Sequence, residues 1–318
     1  PVVTDQKTGY SLPTAAIWDI DDERAWDAYW KLTETHIREF GSPRLFHTIG
    51  MAERSFGETR RDSLQKKLYA YRKTQQKIRE HYPDAPLLIA SWDLANQWVD
   101  EEVRVLLNEF DPERTVLLDY TADDAAKCNF RDWNVLGRFP WIFGMLHGYA
   151  WNSDIHGDYT LLAERLRTAA EDPMCKGYVL WSEISHNDTF MLEYLADNAW
   201  QPDDLTAPAA TVRFCRSRYP LELAAQMEPL WTLMLVISQS ENWSMRDPSR
   251  NVTFSSPQFH MLTNTMWANL SAKRQDQVNA GYERMAACLR PAPEMLGALA
   301  GLTETACGNA QWRRDALD

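Results

Sequence analysis

Apolar and polar positions along the chain alternate between two kinds of pattern. Over residues 21–40 apolar and aromatic side chains recur at helical spacing (Ala25, Trp26, Tyr29, Trp30, Ile37) until Gly41, Ser42 and Pro43 interrupt them, which predicts a first helix. Five short apolar runs follow, at 44–49, 86–92, 115–120, 141–147 and 177–181, each bounded by turn residues and each read as a buried strand. Most gaps between them carry helical patterns. Residues 63–82 place Leu64, Leu68, Tyr71, Gln75 and Ile78 on one face. Lys66, Lys67, Lys73, Lys77 and Arg79 fall mostly on the other, which reads as a solvated outer face. Helices are also expected at 99–110 and 159–170.

Strands alternating with helices or long loops indicate a parallel βα array, as a barrel or as a doubly wound sheet. No Gly-rich phosphate loop of either common type occurs, which removes the main support for the doubly wound form. Residues suited to chemistry stand at or just after the strand ends instead: Glu53, Trp92 and Asp93, Asp119, His147, and Glu183. A (β/α)8 barrel carries its chemistry at that edge. Only five strands are visible, so three are expected upstream of residue 1, and the chain reads as a piece of a longer protein. Beyond residue 200 helical patterns dominate, at 221–238, 257–270, 272–289 and 295–307. The expected architecture is therefore α/β: a partial (β/α)8-type barrel over residues 1–200, then an all-α domain over 201–318, with 201–208 as the boundary.

Composition narrows the function classes. Of the 318 residues, 45% are hydrophobic and 25% charged, enough apolar side chain for a packed core. The formal charge of −12 is opposite in sign to that of a nucleic-acid binder, so no nucleic-acid partner is expected. The longest apolar run, 230–237, is far short of the roughly 20 residues that cross a bilayer, so no membrane insertion is expected either. The five cysteines are scattered and form no Cys-x-x-Cys pair, which suggests neither a zinc site nor a disulfide framework, and no cofactor is expected. The outlier is tryptophan: 14 Trp, beside 12 Tyr and 11 Phe, fit a large core or a sugar-binding cleft. Most of these rings are expected in the core.

Two carboxylates follow predicted strand ends, Glu53 in Phe46-His-Thr-Ile-Gly-Met-Ala-Glu53 and Glu183 in Trp181-Ser-Glu-Ile-Ser-His-Asn187. Coming from the first and fifth visible strands, they would stand across a barrel mouth from each other, the arrangement that glycoside hydrolysis needs: one acid protonates the leaving oxygen, and the other attacks the anomeric carbon or activates water. A competing arrangement, His147 with Asp154 and His156 around a metal, matches no standard ligand spacing. No Gly-x-Ser-x-Gly elbow supports a serine nucleophile.

The run Pro140-Trp-Ile-Phe-Gly-Met-Leu-His-Gly-Tyr149, then Trp181-Ser-Glu-Ile-Ser-His-Asn187, then Tyr194-Leu-Ala-Asp-Asn-Ala-Trp200, resembles the α-N-acetylglucosaminidases of glycoside hydrolase family 89 in both motif and order. The segments Pro86-Leu-Leu-Ile-Ala-Ser-Trp92 and Val116-Leu-Leu-Asp119 stand where that family has a strand ending in Trp and one ending in Asp. The resemblance runs from about residue 44 to 220, and the helical remainder fits the family's all-helical domain. It implies a retaining exo-hydrolase that releases terminal α-linked N-acetylglucosamine from a glycan. By position Glu53 matches the acid/base and, after a one-residue shift, Glu183 the nucleophile. Trp92 matches an aromatic of the sugar pocket and His147 the histidine of the family's Met-Leu-His run. Trp151 and Trp181 are further candidate walls for a sugar ring, and His147 and Asn187 candidates to bond hydroxyls or orient the nucleophile.

Ala52 stands where the family usually has Asn, and Gly148-Tyr-Ala-Trp151 replaces its Asn-Phe-Gly-Gly. These departures keep two alternatives open: a different sugar on the same scaffold, or a carbohydrate-binding protein without turnover. The family resemblance implies a secreted or lysosomal setting. Sequons at Asn242, Asn251 and Asn269 are compatible with secretion, whereas the one at Asn187 lies too close to the proposed site. Compartment and oligomeric state are not fixed by the sequence.

Overall fold

In a computed structural model the described residues are 2–4, 16–42, 45–48, 58–95, 98–124, 127–147, 157–181, 188–199, 202, 206–238 and 290–301, with single positions at 272, 275, 276, 283 and 287. The chain divides into two compact units. The first comprises Pro1–Thr121, Asn129–Gly144 and Asp172–Val179, and the second Ala122–Cys128, Met145–Glu171 and Leu180–Asp318.

The first unit opens with a hairpin that the hydropathy pattern does not predict, β1 (Val2–Thr4) antiparallel to β2 (Ala16–Trp18), with Val2 opposite Trp18. Helix α1 (Glu23–Phe40) starts where Asp22 accepts a hydrogen bond from the Arg24 amide, and ends at Gly41, whose φ of 102° no β-carbon tolerates comfortably. It buries Trp26 and Trp30. Helix α2 (Arg60–His81) begins with a reciprocal cap, Thr59 Oγ1 accepting from the Asp62 amide and Asp62 from the Thr59 amide.

Its cationic face is not a free outer face, as the sequence pattern suggests. Lys66 pairs with Asp21, Lys73 with Glu23 at 2.5 Å and Lys77 with Asp27 at 3.1 Å, so the lysines form a charged seam toward α1 and the residues just before it. Lys67, one position on from Lys66, is buried beneath the Trp98 ring at 5.0 Å.

The sheet of this unit has strand order β3-β4-β5-β6-β7, the strands being Phe46–Thr48, Leu87–Ala90, Thr115–Asp119, Trp141–Met145 and Cys175–Leu180. Adjacent strands from β3 to β6 pair in parallel, in registers that place Phe46 opposite Leu87, Leu87 opposite Thr115 and Leu117 opposite Trp141. All four residues of β4 are buried, as expected for a parallel strand covered on both faces. Sequential neighbours in the sheet joined by helix-bearing crossovers make this a (β/α)8-type barrel segment.

The helices between strands are α3 (Ser91–Ala95), α4 (Asp100–Leu107) and α5 (Asn129–Asp132). Phe130 stacks on Trp141 at 5.0 Å, and with Ile89, Leu94, Leu117, Leu118, Trp133 and Phe143 forms a continuous core. Trp26, Trp30, Trp98, Trp133 and Trp141 are all buried, so the aromatic excess serves this core first.

The second unit contains α6 (Tyr159–Glu171), α7 (Thr189–Asn198), α8 (Ala207–Arg218) and α9 (Leu221–Ile237), and residues 292–301 are helical. Its centre is aromatic. Phe190 of α7 lies 5.3 Å from Phe214 of α8 and 5.5 Å from Trp231 of α9, and Tyr159 of α6 lies 5.3 Å from Phe190. Ser238, just past α9, accepts from the Gly157 amide through its carbonyl at 3.2 Å and donates its hydroxyl to the Gly157 carbonyl at 3.3 Å. The expected helix at 257–270 and most of that at 272–289 lie outside the described residues.

Candidate functional site

Four of the seven residues singled out from the sequence, Glu53, Trp151, Glu183 and Asn187, lie outside the described residues, as do Asp154 and His156 of the metal alternative. Trp92 belongs to the first unit, and His147 and Trp181 to the second.

Trp92 does not end a strand. The apolar run at 86–92 stops being a strand at Ala90, and the chain turns at once into the single helical turn α3. The Ser91 hydroxyl holds this turn by accepting from the Tyr120 amide at 2.7 Å and reaching Asp119 Oδ1 at 3.2 Å. Ser91 and Asp93 are buried on either side of Trp92, which stays half-buried because successive helical residues point in different directions.

Asp119, at the end of β5, is a buried carboxylate committed to its neighbours. Besides Ser91, its Oδ1 receives the Thr121 amide at 3.0 Å and the Asn129 side-chain amide at 3.1 Å. Asp93 is wholly buried, with the Tyr71 hydroxyl donating to its Oδ2 at 3.4 Å. Burial and then the charge of Asp93 push the Tyr71 phenol well above its usual range, and the same two causes push Tyr120 up to about 12. Asp119 thus ties the end of β5 to the residue after β4, and Asp93 ties α3 to α2.

In the second unit, His147 follows the end of β6 and is 0% exposed. Its Nε2 lies 3.2 Å from Asp188 Oδ2, and its Nδ1 faces Asp123 Oδ2 at 4.0 Å. Asp188 is also buried, and its second oxygen caps α7 by accepting the Met191 amide at 3.0 Å. Tyr159, buried close by, has its phenol pushed well above the usual range by burial, then by the charges of Asp188 and Tyr194. The loop bearing Asp123 is held by buried Arg165, whose guanidinium donates to the carbonyls of Ala122, Asp124 and Lys127 at 2.7, 2.8 and 2.6 Å. Trp181, just past β7, donates its amide to the Met145 carbonyl at 2.8 Å and is 43% exposed.

Asp123, Asp188 and Arg165 were not singled out from the sequence. Asp188 had a readable signal, an Asp directly before the apolar run 189–195, which marks an N-cap. Its pairing with a histidine 41 residues away had none. Among the described residues no group of three His, Cys, Asp or Glu is placed to hold a metal ion, and no helix is long and apolar enough to cross a membrane.

The model of the family described as alpha-N-acetylglucosaminidase (NAGLU) tim-barrel domain matches residues 26–202 of this chain. Among solved structures, the chain is similar to a family 89 glycoside hydrolase from Clostridium perfringens in complex with PUGNAc. The TM-score is 0.51 at 16% identity over 73% of this chain and 24% of that one. A doubly substituted form of an enzyme from the same organism, in complex with its substrate GlcNAc-alpha-1,4-galactose, gives the same four figures. At that identity the likeness is one of fold, and this chain spans about a quarter of the length of either neighbour. A search of curated proteins finds no match.

Proposed function

The chain belongs to the family of alpha-N-acetylglucosaminidase tim-barrel domains, and from that membership we propose that the protein is a retaining exo-glycoside hydrolase releasing terminal α-linked N-acetylglucosamine from glycans, with Glu53 as acid/base and Glu183 as nucleophile. The observation that carries this reading is the extent of the family match. Residues 26–202 take in both glutamates together with the strands they follow, β3 and β7, which stand at the two ends of the strand order.

The chemistry then follows from the two roles. Glu53, protonated, gives its proton to the glycosidic oxygen as the bond to the anomeric carbon breaks. Glu183, ionised, attacks that carbon from the opposite face and forms a glycosyl ester. Water activated by Glu53, now the base, hydrolyses the ester and returns the α-configured sugar. Two displacements at one carbon give retention, which needs the two carboxyl groups about 5 to 5.5 Å apart, against roughly 6.5 to 9.5 Å for inversion. Trp181, 43% exposed after β7, is an aromatic residue of the type that packs against sugar rings.

The test uses the full-length parent protein on an aryl α-N-acetylglucosaminide, with the anomer of the first-formed sugar read by NMR. Glu53→Gln and Glu183→Gln should each lose activity by a factor on the order of a thousand or more, and azide should restore turnover in a small-side-chain variant at Glu183 with formation of a glycosyl azide. A β-configured first product would overturn the retaining mechanism. Turnover only of another aryl glycoside would move the specificity, and N-acetylglucosamine binding without turnover of any glycoside would leave a binding protein.

A further inference from the structure

We propose that α1 is a strap sensitive to ionic strength: a helix held on α2 by rows of opposite charge, which opens ahead of the rest of the first unit and loosens β3 with it. Its apolar anchor is narrow. Of the 18 residues of α1 only Trp26 and Trp30 are buried, while Tyr29, Leu32 and Phe40 stay exposed. The Trp26 indole N–H donates to the Ile20 carbonyl at 2.8 Å, just ahead of the helix. Trp30 reaches across instead. Its ring lies 4.5 Å from that of His81 and 6.4 Å from that of Tyr82, at the end of α2, and 6.3 Å from that of Phe46 in β3.

Charge supplies the rest of the attachment. The acids Asp21, Glu23 and Asp27 stand on one side and Lys66, Lys73 and Lys77 on the other, paired in the same order along both segments. Glu23 and Asp27 are four residues apart on α1, as are Lys73 and Lys77 on α2, so each row repels itself until the helices meet. Glu80, 3.8 Å from Lys77, offsets one of the lysines from within α2. The acids of the seam are more than half exposed, and their attraction falls as the screening length shortens from about 10 Å at 0.1 M salt to about 3 Å at 1 M. Helix α4 provides the contrast within the same unit. That helix and the residues after it are also paired to α2, Glu102 with Arg60 and Glu109 with Arg72, but Val103, Leu106 and Leu107 are wholly buried, an anchor that screening does not weaken. When α1 leaves, β3 loses the Trp30 ring beside Phe46, and three residues at one end of the strand order have little else to hold them.

The experiment is amide hydrogen exchange on the full-length parent at 0.1 and 1 M sodium chloride, each amide being referred to its rate in an unstructured peptide at the same salt. Exchange in α1 and at the Phe46 amide, which donates to the Pro86 carbonyl at 3.0 Å, should rise about tenfold with salt, against less than about twofold in α4 and β4. Lys73→Gln combined with Lys77→Gln should open α1 already at 0.1 M and flatten its response to salt. Lys73→Glu with Lys77→Glu sets carboxylates against Glu23 and Asp27, so that salt should now slow exchange in α1. Adding Glu23→Lys and Asp27→Lys should restore both the protection and the sign of the response. A salt response in α1 no larger than that in α4 would overturn the proposal, and so would an unchanged response in the double Gln variant. That neutral variant decides the question even if the double Glu variant fails to fold.

Discussion

Gly144, in β6, offers the sharpest test of how closely the sheet is packed. A β-carbon built there would stand 2.3 Å from the carbonyl oxygen of Asp119 and 3.1 Å from Leu118 Cδ1. Its backbone is not among those with positive φ, so the requirement for glycine is one of space. Relieving the contact in Gly144→Ala takes a shift of about 1 Å, and the obstructing atom is backbone in a neighbouring, fully paired strand. Asp119 pairs with Phe143 in the ladder, so parting the strands weakens buried backbone bonds at about 1 to 3 kcal/mol each on top of roughly 1 to 3 kcal/mol of overpacking.

The expected loss in Gly144→Ala is therefore about 3 kcal/mol, or roughly 6 to 12 °C in the melting transition of a unit of this size. Because two units need not melt together, calorimetry on the parent protein should be paired with hydrogen exchange at residues 117–119, where protection should drop most. The control is Gly297→Ala in the helical segment 292–301, where a β-carbon meets nothing within 4 Å. It should gain about 0.5 to 1 kcal/mol from helix propensity. A Gly144→Ala protein that melts within 2 °C of the parent, with unchanged exchange at 117–119, would refute the reasoning; so would equal effects at both glycines.

Two further outcomes follow from buried polar groups. Asp119→Ala strips Oδ1 from the Thr121 amide, the Asn129 side chain and Ser91, and should cost about 3 kcal/mol in urea denaturation, with the Asp119→Asn variant intermediate because its amide oxygen still accepts. Burial holds the Lys67 ammonium down to about 8 from its usual 10.5. Between those values the unfolded chain binds the extra proton, so this lysine's penalty is full below pH 8 and fades as pH rises toward 10.5. Lys67→Met should accordingly gain on the parent most at pH 7 and least near pH 10, in paired denaturation curves. A gap independent of pH would show that the lysine carries no such penalty.

The elements legible in the sequence are those with one dominant determinant. β4, β5 and β6 read as short apolar runs because a parallel strand covered on both faces has no polar side. α1 and α2 read from periodicity, and the end of α1 from Gly41, whereas α2 starts at Arg60 behind its Thr59 cap, ahead of the patterned stretch at 63–82. The pattern misleads where one residue type serves two purposes. Pro208, within the stretch 201–208 that reads as a boundary, lies in the first turn of α8, where its missing N–H costs nothing and Thr206 supplies the cap. Lys67 falls with Lys66 in the charged pattern, yet its long apolar stem lets it lie buried under Trp98. The three-residue strands β1 and β2 are too short for any periodicity to register.

Site residues divide along a different line. Residue type and strand-end position single out Asp93, Asp119, His147 and Trp181 alike, because a barrel gathers polar groups at that edge whether they meet a ligand or brace the loops. Burial separates them, and burial at a strand end depends on what the next crossover lays over it. Asp119 and His147 are enclosed, with Asp119 Oδ1 and His147 Nε2 engaged by buried neighbours, whereas Trp181 is 43% exposed. Around His147, Asp123 and Asp188 come from separate segments and Arg165 holds the loop that bears Asp123, each an unremarkable residue in its own segment. A polar group costs several kcal/mol to bury without partners, so a buried strand-end histidine requires partners somewhere in the chain. The sequence places His147 at a strand end, and only the fold shows that it is buried and that Asp188 meets its need for a partner.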